Sequence, residues 1–432
     1  MSLRRFFTIL VLLGVTLTAS LLLSLPALAA AGPAANVAPA ENAPHRFAFQ
    51  GCLPAVTVTS AGDDGAGSLR QAIVDVCDGG TIDFAAGLAG QTISLTSAEL
   101  TIAKTVTIAN PAAPGLAVSG NAARRVFMIQ SSGVVTLSQL RIVNGAVSGE
   151  DYGGGIANYG RLTVLNSTLS GNAAPVGGGI YNRGSLSVVN STLSGNWATE
   201  AGVGGGVCNN TDGQMTISNS TLSGNSAYDG GGVYNNTNGT LTISNSSLVG
   251  NSASGDYSTG GGITNYGTLT VLNSTLSGNS ASYMGGGIAT MEGTSSVQNS
   301  TLSGNSAGYG GGIFSLGTLA LANTIIANSP AGGDCQNSRP ITADHSLVEA
   351  TGANACGLTD GVGGNIVGVD PLLGPLGAYG GETRTHALLP GSRALDAGLN
   401  CLAADQRGVS RPQPAGGACD TGAFERAASV RI

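Results

Sequence analysis

Five tyrosines recur at one kind of place in the chain. Tyr152, Tyr228, Tyr257, Tyr283 and Tyr309 each fall one to three residues before a Gly-Gly-Gly triplet, and Asp151, Asp229 and Asp256 share that edge. Aromatic faces beside polar groups suit an extended sugar chain or a protein surface. The plainer reading is that the rings cover neighbouring turns, since lone surface aromatics need no explanation. The triplets at Gly177 and Gly204 lack such a ring, so spacing points to the run from Tyr228 to Tyr309.

Groups for acid–base chemistry are sparse in the same region. Between Gly153 and Ile325 the acids are Glu200, Asp212, Asp229, Asp256 and Glu292, the bases are Arg161 and Arg183, and there is no histidine. Glycoside hydrolysis needs paired carboxylates, and general acid–base work needs positioned titratable groups. No catalytic residue is assigned on that basis. The tail is richer, with Asp370, Arg384, His386, Arg393, Asp396, Asp405, Arg407, Asp420 and Glu425. An active site is the alternative there; the preferred reading pairs Asp405 with Arg407 and Asp420 with Glu425 to fix an irregular cap. The glycine runs lack the lysine of a phosphate loop and do not match the calcium-binding Gly-Gly-x-Gly-x-Asp repeat. No Cys-x-x-Cys or Cys/His spacing indicates zinc. No metal and no cofactor are expected.

The seven cysteines are Cys52, Cys77, Cys208, Cys335, Cys356, Cys401 and Cys419. Sequence neighbours suggest Cys52–Cys77, Cys335–Cys356 and Cys401–Cys419, although spacing alone does not determine connectivity. Cys208 is left over as a free thiol. It alternates with Val207, so it is expected to face outward between Tyr181 and Tyr234.

These side chains need a scaffold, and the scaffold is a repeat. Gly-Gly-Gly followed by Ile or Val starts at Gly153, Gly177, Gly204, Gly230, Gly260, Gly285 and Gly310. Asn-Ser-Thr-Leu-Ser-Gly-Asn starts at Asn166, Asn190, Asn219, Asn273 and Asn299, with a variant at Asn245. Each unit reads as three short strands. In the unit at Gly260, Ile263, Leu269, Val271 and Leu276 point inward on the period-2 rule. No unit buries enough side chains alone, so the units must stack. The expected fold is all-β: a right-handed parallel β-helix of about seven near-identical rungs, with a rod body roughly 30–35 Å long.

Asparagine occupies three columns in this stack. The first holds Asn158, Asn182, Asn209, Asn235 and Asn265. The second runs from Asn166 to Asn323, and the third from Asn172 to Asn305. Stacked amides can hydrogen-bond along a column, and asparagine tolerates left-handed corners. The Asn-Ser-Thr/Ser triplets also match a glycosylation sequon, but the corner role accounts for every occurrence. Thr290 and Ser315 replace the first asparagine, and Ser295 stands where leucine is expected. That rung is expected to be the weakest.

The composition fits such a rod. Gly is 70 of 432 residues without a collagen period, charged residues are 9%, and the net charge is −7 with Lys104 the only lysine. So little positive charge makes nucleic acid or an anionic membrane surface an unsuitable partner. Regular aliphatics separate the chain from a disordered glycine-rich one.

The ends carry a resemblance. Gly-Ser-Leu-Arg-Gln-Ala-Ile (67–73) and Asp-Gly-Gly-Thr-Ile-Asp-Phe (78–84) resemble the start of bacterial exported proteins with a pectin-lyase-like β-helix. In the tail, Asn-Thr-Ile-Ile-Ala-Asn (323–328), Val-Asp-Pro-Leu-Leu-Gly-Pro-Leu (369–376), His-Ala-Leu-Leu-Pro-Gly-Ser (386–392), Asp-Gln-Arg-Gly-Val (405–409) and Cys-Asp-Thr-Gly-Ala-Phe-Glu (419–425) are similar to the choice-of-anchor Q domain. The middle resembles the repeats of polymorphic outer-membrane proteins. The resemblance implies a secreted or surface-attached β-helix and supplies no established reaction. Pectate lyases and polygalacturonases share the fold, so a polysaccharide lyase or glycoside hydrolase is the alternative to a non-catalytic, adhesin-like or glycan-binding scaffold.

The expected organisation has five parts. Residues 1–31 read as a signal peptide: Arg4 and Arg5, an apolar run from Phe6 to Leu25, then Ala27-Leu28-Ala29. A membrane anchor is the competing reading, disfavoured by Pro26 and the alanine cluster. Residues 32–50 form a flexible leader. Residues 51–125 form an N-terminal cap and first rungs, with a helix capped by Ser68. Residues 126–328 are the repeat body, and 329–432 are C-terminal rungs and a disulfide-stapled cap. The sequence after Arg426 carries no apolar tail or sorting motif, so simple secretion of a monomer is expected, with an extracellular polysaccharide or cell-surface component as its partner.

Overall fold

The computed structural model describes residues 51–427. The expected signal peptide and leader lie outside them.

The three glycines of each unit answer two constraints. Gly230 has φ +64°, a left-handed conformation that side chains disfavour. A Cβ on Gly231 would lie 2.3 Å from the Ser252 carbonyl oxygen, and one on Gly232 would lie 2.5 Å from that of Gly262. The backbone of the next rung occupies the space a side chain would need. Each triplet is thus a point of close approach between successive rungs.

After the triplet the chain makes three strands, for example Ile263–Asn265, Thr268–Leu272 and Thr275–Ser277. Each pairs in parallel with its equivalent on the next rung, as Thr240↔Thr268 and Leu241↔Leu269 show. In chain order within a rung they build a first sheet of ten strands, a second of 12 and a third of 12. The molecule is a right-handed parallel β-helix. Ile263, Leu269, Val271 and Leu276 are fully buried, as are their equivalents Val233, Leu241, Ile243 and Leu248. One continuous apolar core follows.

The ladder is longer than the seven repeats. Leu53–Val58 and Val76–Phe84 begin the second sheet and Thr342–Asp344 ends it, giving a body about 50 Å long at about 4.8 Å per rung. The run from Leu100 to Ile108 is two strands on different sheets, Leu100–Ile102 and Thr105–Ala109, because the chain turns a corner at Lys104. A fourth, minor sheet of five strands lies in the turns before the triplets, from Ala173–Val176 to Ser280–Ala281. The helix Leu69–Asp75 sits at the N-terminal end, with Ser68 accepting from the Gln71 amide.

Two asparagine columns are side-chain ladders. In the first, Nδ2 of Asn158, Asn182, Asn209 and Asn235 each donates to Oδ1 of the asparagine above at 2.7–2.8 Å. In the third, each asparagine from Asn172 to Asn279 donates through both its amide N–H and its Nδ2 to the next Oδ1, as Asn225 does to Asn251. The second column works differently. Its members have φ between +44° and +50° and turn the corner between the second and third sheets. The serine that follows each one forms a further ladder, from Ser167 to Ser300, in which each backbone N–H donates to the next hydroxyl.

Ser295 ends the first asparagine ladder. It lies in register with Leu269 and Leu319 and is fully buried. Its hydroxyl accepts from Nδ2 of Asn265 and bonds Thr290 Oγ1 at 2.6 Å. The polar substitution thus terminates the first ladder with its groups satisfied.

The tail is not an end cap throughout. The open core is closed by Leu358 and Val367 beside the Cys335–Cys356 disulfide. From there the chain folds back along the outside of the third sheet. Arg384 bonds Ser247 through its carbonyl, Thr385 and Gln406 bond Thr275, His386 bonds Ser277 at 3.0 Å, and Ala423 bonds Thr301. Leu388, Ala394 and Phe424 pack on Ile325 and Leu347. Later members of the second asparagine column grip the tail backbone: Asn273 to Ala404, Asn299 to Leu402, Asn323 to Leu399.

Cys52 is bonded to Cys77, Cys335 to Cys356 and Cys401 to Cys419. Cys208 is free but buried. It does alternate with inward Val207, yet it is only 1% exposed. Tyr181 and Tyr234 flank it in register, and the Gly204 backbone packs over its Cβ. Burial pushes its thiol up to about 12. Thiol reagents should therefore leave the native protein untouched and modify one cysteine in the unfolded, unreduced chain. Two labelled sites, or none, would contradict the pairing.

Candidate functional site

Nine of the ten tyrosines lie in or beside the first sheet. The five that precede triplets do not form one line. Tyr257, Tyr283 and Tyr309 make an edge-to-face column, with centroids 5.5 Å apart at both steps and interplanar angles of 86° and 85°. Tyr257 is 69% exposed and Tyr309 48%. Tyr228 stands outside this column, because the loop of the next rung folds over it. Gly255 lies so close to the Tyr228 ring that a Cβ there would sit 2.3 Å from it. Tyr152 joins a different group, stacked on Tyr181 at 4.9 Å with Tyr159 at 5.8 Å from the same ring.

The rings that spacing did not single out are on the first sheet itself. Tyr181 and Tyr234 face outward there, and Tyr159 and Tyr266 follow it directly. Tyr234 and Tyr266 pair at 5.6 Å. Their signal was available, since both Tyr181 and Tyr234 sit one residue after an inward aliphatic. Burial raises the phenols of Tyr181, Tyr234 and Tyr266, so these rings remain neutral. Asn210 donates to the Tyr181 hydroxyl at 2.6 Å.

The carboxylates of this side are largely committed. Asp229 accepts from the backbone and hydroxyl of Thr259 at 2.6 and 2.9 Å, and burial raises its carboxyl. Asp151 pairs with Arg125, which also holds Glu99. Asp256 is exposed beside Tyr257 in sequence. Among the described residues, no three His, Cys, Asp or Glu side chains converge as metal donors.

The charged cluster of the tail pairs differently from the sequence expectation. Asp405 binds Arg407 at 2.6 Å, whereas Glu425 meets Asp420 only through the Asp420 backbone amide and not as an ion pair. The partner of Glu425 is Arg411, at 3.3 Å, with both side chains almost wholly buried. Glu425 also accepts from the amides of Gln413 and Asp420, and Asp420 from those of Asp396 and Arg426. Burial raises both carboxyls and lowers the Arg411 guanidinium. The Arg407 guanidinium lies 3.6 Å over the Phe424 ring. A pocket of ≈370 Å³ beside the Cys401–Cys419 disulfide touches Arg411, whose terminal nitrogens are taken by Asp420, Gly422 and Glu425. These contacts hold the tail fold together.

No family model and no curated protein matches the chain. Among solved structures it is similar to the crystal structure of the pectate lyase Pel9A. The identity is 14% and the TM-score 0.49, over 87% of this chain and 98% of the lyase chain.

Proposed function

We propose that the protein is a secreted or surface-associated rod that binds an extended polysaccharide along the tyrosine-bearing side of its first sheet, without cleaving it. The observation that carries this reading is the exposed column Tyr257–Tyr283–Tyr309, backed by the Tyr234–Tyr266 and Tyr152–Tyr159–Tyr181 groups. Rings repeated at the rung spacing offer apolar faces to successive sugars, with phenol hydroxyls at the rim. The acids nearest to them are either bonded, as Asp229 and Asp151 are, or stand alone, as Asp256 does. That supply supports binding more than acid–base turnover. Three disulfides fit an oxidising compartment. In this reading residues 1–31 direct export, and the rod acts as a monomer.

The test is a glycan array of uronate-rich and neutral polysaccharides, followed by turnover assays with and without calcium. Replacing Tyr257, Tyr283 and Tyr309 together by Ala should leave the fold intact and weaken binding at least about tenfold, which is about 1.4 kcal/mol. No ligand for the wild type, or equal binding by the triple variant, would reduce the column to packing. Turnover abolished by one carboxylate substitution would make the protein an enzyme instead.

A further inference from the structure

The second sheet presents a face of the opposite character. Its nine successive strands from Thr105–Ala109 to Thr318–Ala322 carry one charged residue, Arg161, and no aromatic ring. The middle outward position of these strands is a hydroxyl on rung after rung: Thr163, Ser187, Thr216, Thr242, Thr270 and Ser296. Thr107 and Thr136 extend the column toward the N-terminus. A second column two residues earlier includes Ser185, Thr240, Thr268, Thr294 and Thr318, and is interrupted by Arg161 and Gln214. Apart from a 3.3 Å bond between Thr216 and Ser187, none of these hydroxyls has a hydrogen-bond partner among the described residues. The tail, which covers hydroxyls of the same kind on the third sheet, leaves this face open.

The spacing identifies what such a face complements. Rungs repeat at about 4.8 Å, so hydroxyls standing at the rung spacing are too far apart to bond one another, and only Ser187 and Thr216 lean together. Two hydroxyls that each bond one shared water at about 2.8 Å with a tetrahedral angle stand about 4.6 Å apart. The column thus has nearly the separation of second-neighbour oxygens in tetrahedrally bonded water. The two columns are about 6.7 Å apart along the strand, so from Thr240 to Ser296 the face is a two-dimensional lattice with threonine methyls between its hydroxyls. The eight rungs of the longer column cover about 34 Å. A charged partner finds one counter-charge here, and a sugar chain finds no ring to stack on. Nine of the ten tyrosines lie in or beside the first sheet.

We infer that the hydroxyl lattice of the second sheet binds the surface of ice, through water ordered at the rung spacing. The reading is independent of the polysaccharide site. It asks only that the rod hold the array rigid, which the asparagine and serine ladders behind it do.

The experiment is partition of the purified protein into a slowly grown ice hemisphere, together with inhibition of ice recrystallisation. The wild type should enter the ice and keep crystals small. Thr216→Lys with Thr270→Lys should abolish both effects while the circular dichroism of the rod is unchanged. Should that variant fail to fold, Thr216→Val with Thr242→Val and Thr270→Val keeps the shape, removes the hydroxyls and should reduce partition. The Tyr257, Tyr283 and Tyr309 triple variant should partition like wild type, which separates the two faces. Exclusion of the wild type from ice overturns the inference. So does full partition by a folded lysine variant, or retention on crystalline cellulose in place of ice.

Discussion

Asn225→Ala should destabilise the rod by roughly 2–5 kcal/mol, since it leaves buried donors and acceptors on two neighbouring rungs without partners. The Asn225 Oδ1 accepts both the backbone N–H and the Nδ2 of Asn196, and its Nδ2 serves the Leu193 carbonyl and Asn251. Alanine strands the Asn196 amide in a site without access to water. The control is Asn219→Ala, in the column that turns the corner. Asn219 has φ +48°, and its side chain takes no part in a ladder. Its loss should cost only the left-handed preference, about 1 kcal/mol. Chemical denaturation of both variants, with hydrogen exchange to locate the loosened rungs, makes the comparison. Equal costs at the two positions would mean that the ladder contributes no more than its corners.

Glu425→Ala should release the tail from the flank of the rod. The Arg411 guanidinium would remain buried without its counter-charge, and the amides of Gln413 and Asp420 would lose their acceptor. Breaking one partner of a buried pair costs about 3–5 kcal/mol. That exceeds what a handful of hydroxyl contacts on the third sheet can offset. Limited proteolysis should then cut between residues 369 and 427, and the amides of Thr275 and Thr301 should exchange faster, while the first and second sheets keep their protection. Wild-type resistance to protease in the variant would show that the apolar contacts of Phe424 and Leu388 hold the tail unaided.

The rungs were legible in the sequence because stacking imposes one pattern many times. Ile263, Leu269, Val271 and Leu276 alternate with polar residues at period 2, and a repeat makes each assignment confirm the next. The asparagine columns were legible for the same reason, although their division of labour was not. Asn172 and Asn166 look equivalent in a string of letters, and only the backbone conformation separates a ladder from a left-handed corner. The tail was opaque. Its charges have no period, and pairing Asp420 with Glu425 overlooked Arg411, which approaches across a turn. Its docking on the third sheet joins residues more than a hundred positions apart, such as Thr275 and Gln406. The tyrosine column was half legible. Spacing located Tyr257, Tyr283 and Tyr309, but nothing local indicated that a longer loop at Gly255 would lie over Tyr228. Cys208 was placed on the correct face, but its burial depends on a glycine backbone packed above it.

The returning tail also alters how the rod would carry a load. A stack held by neighbour contacts alone peels from its last turn when that turn is pulled. Here the chain near Arg426 meets the rod well inside it, where Ala423 bonds Thr301 and Gly422 bonds Asn323. Tension arriving through the final residues would enter at those interior turns and run sideways across several strands at once. Bonds loaded together in shear must fail together, whereas bonds loaded at a free edge fail in sequence. A rod so strapped can be tethered by its trailing end without unravelling from it.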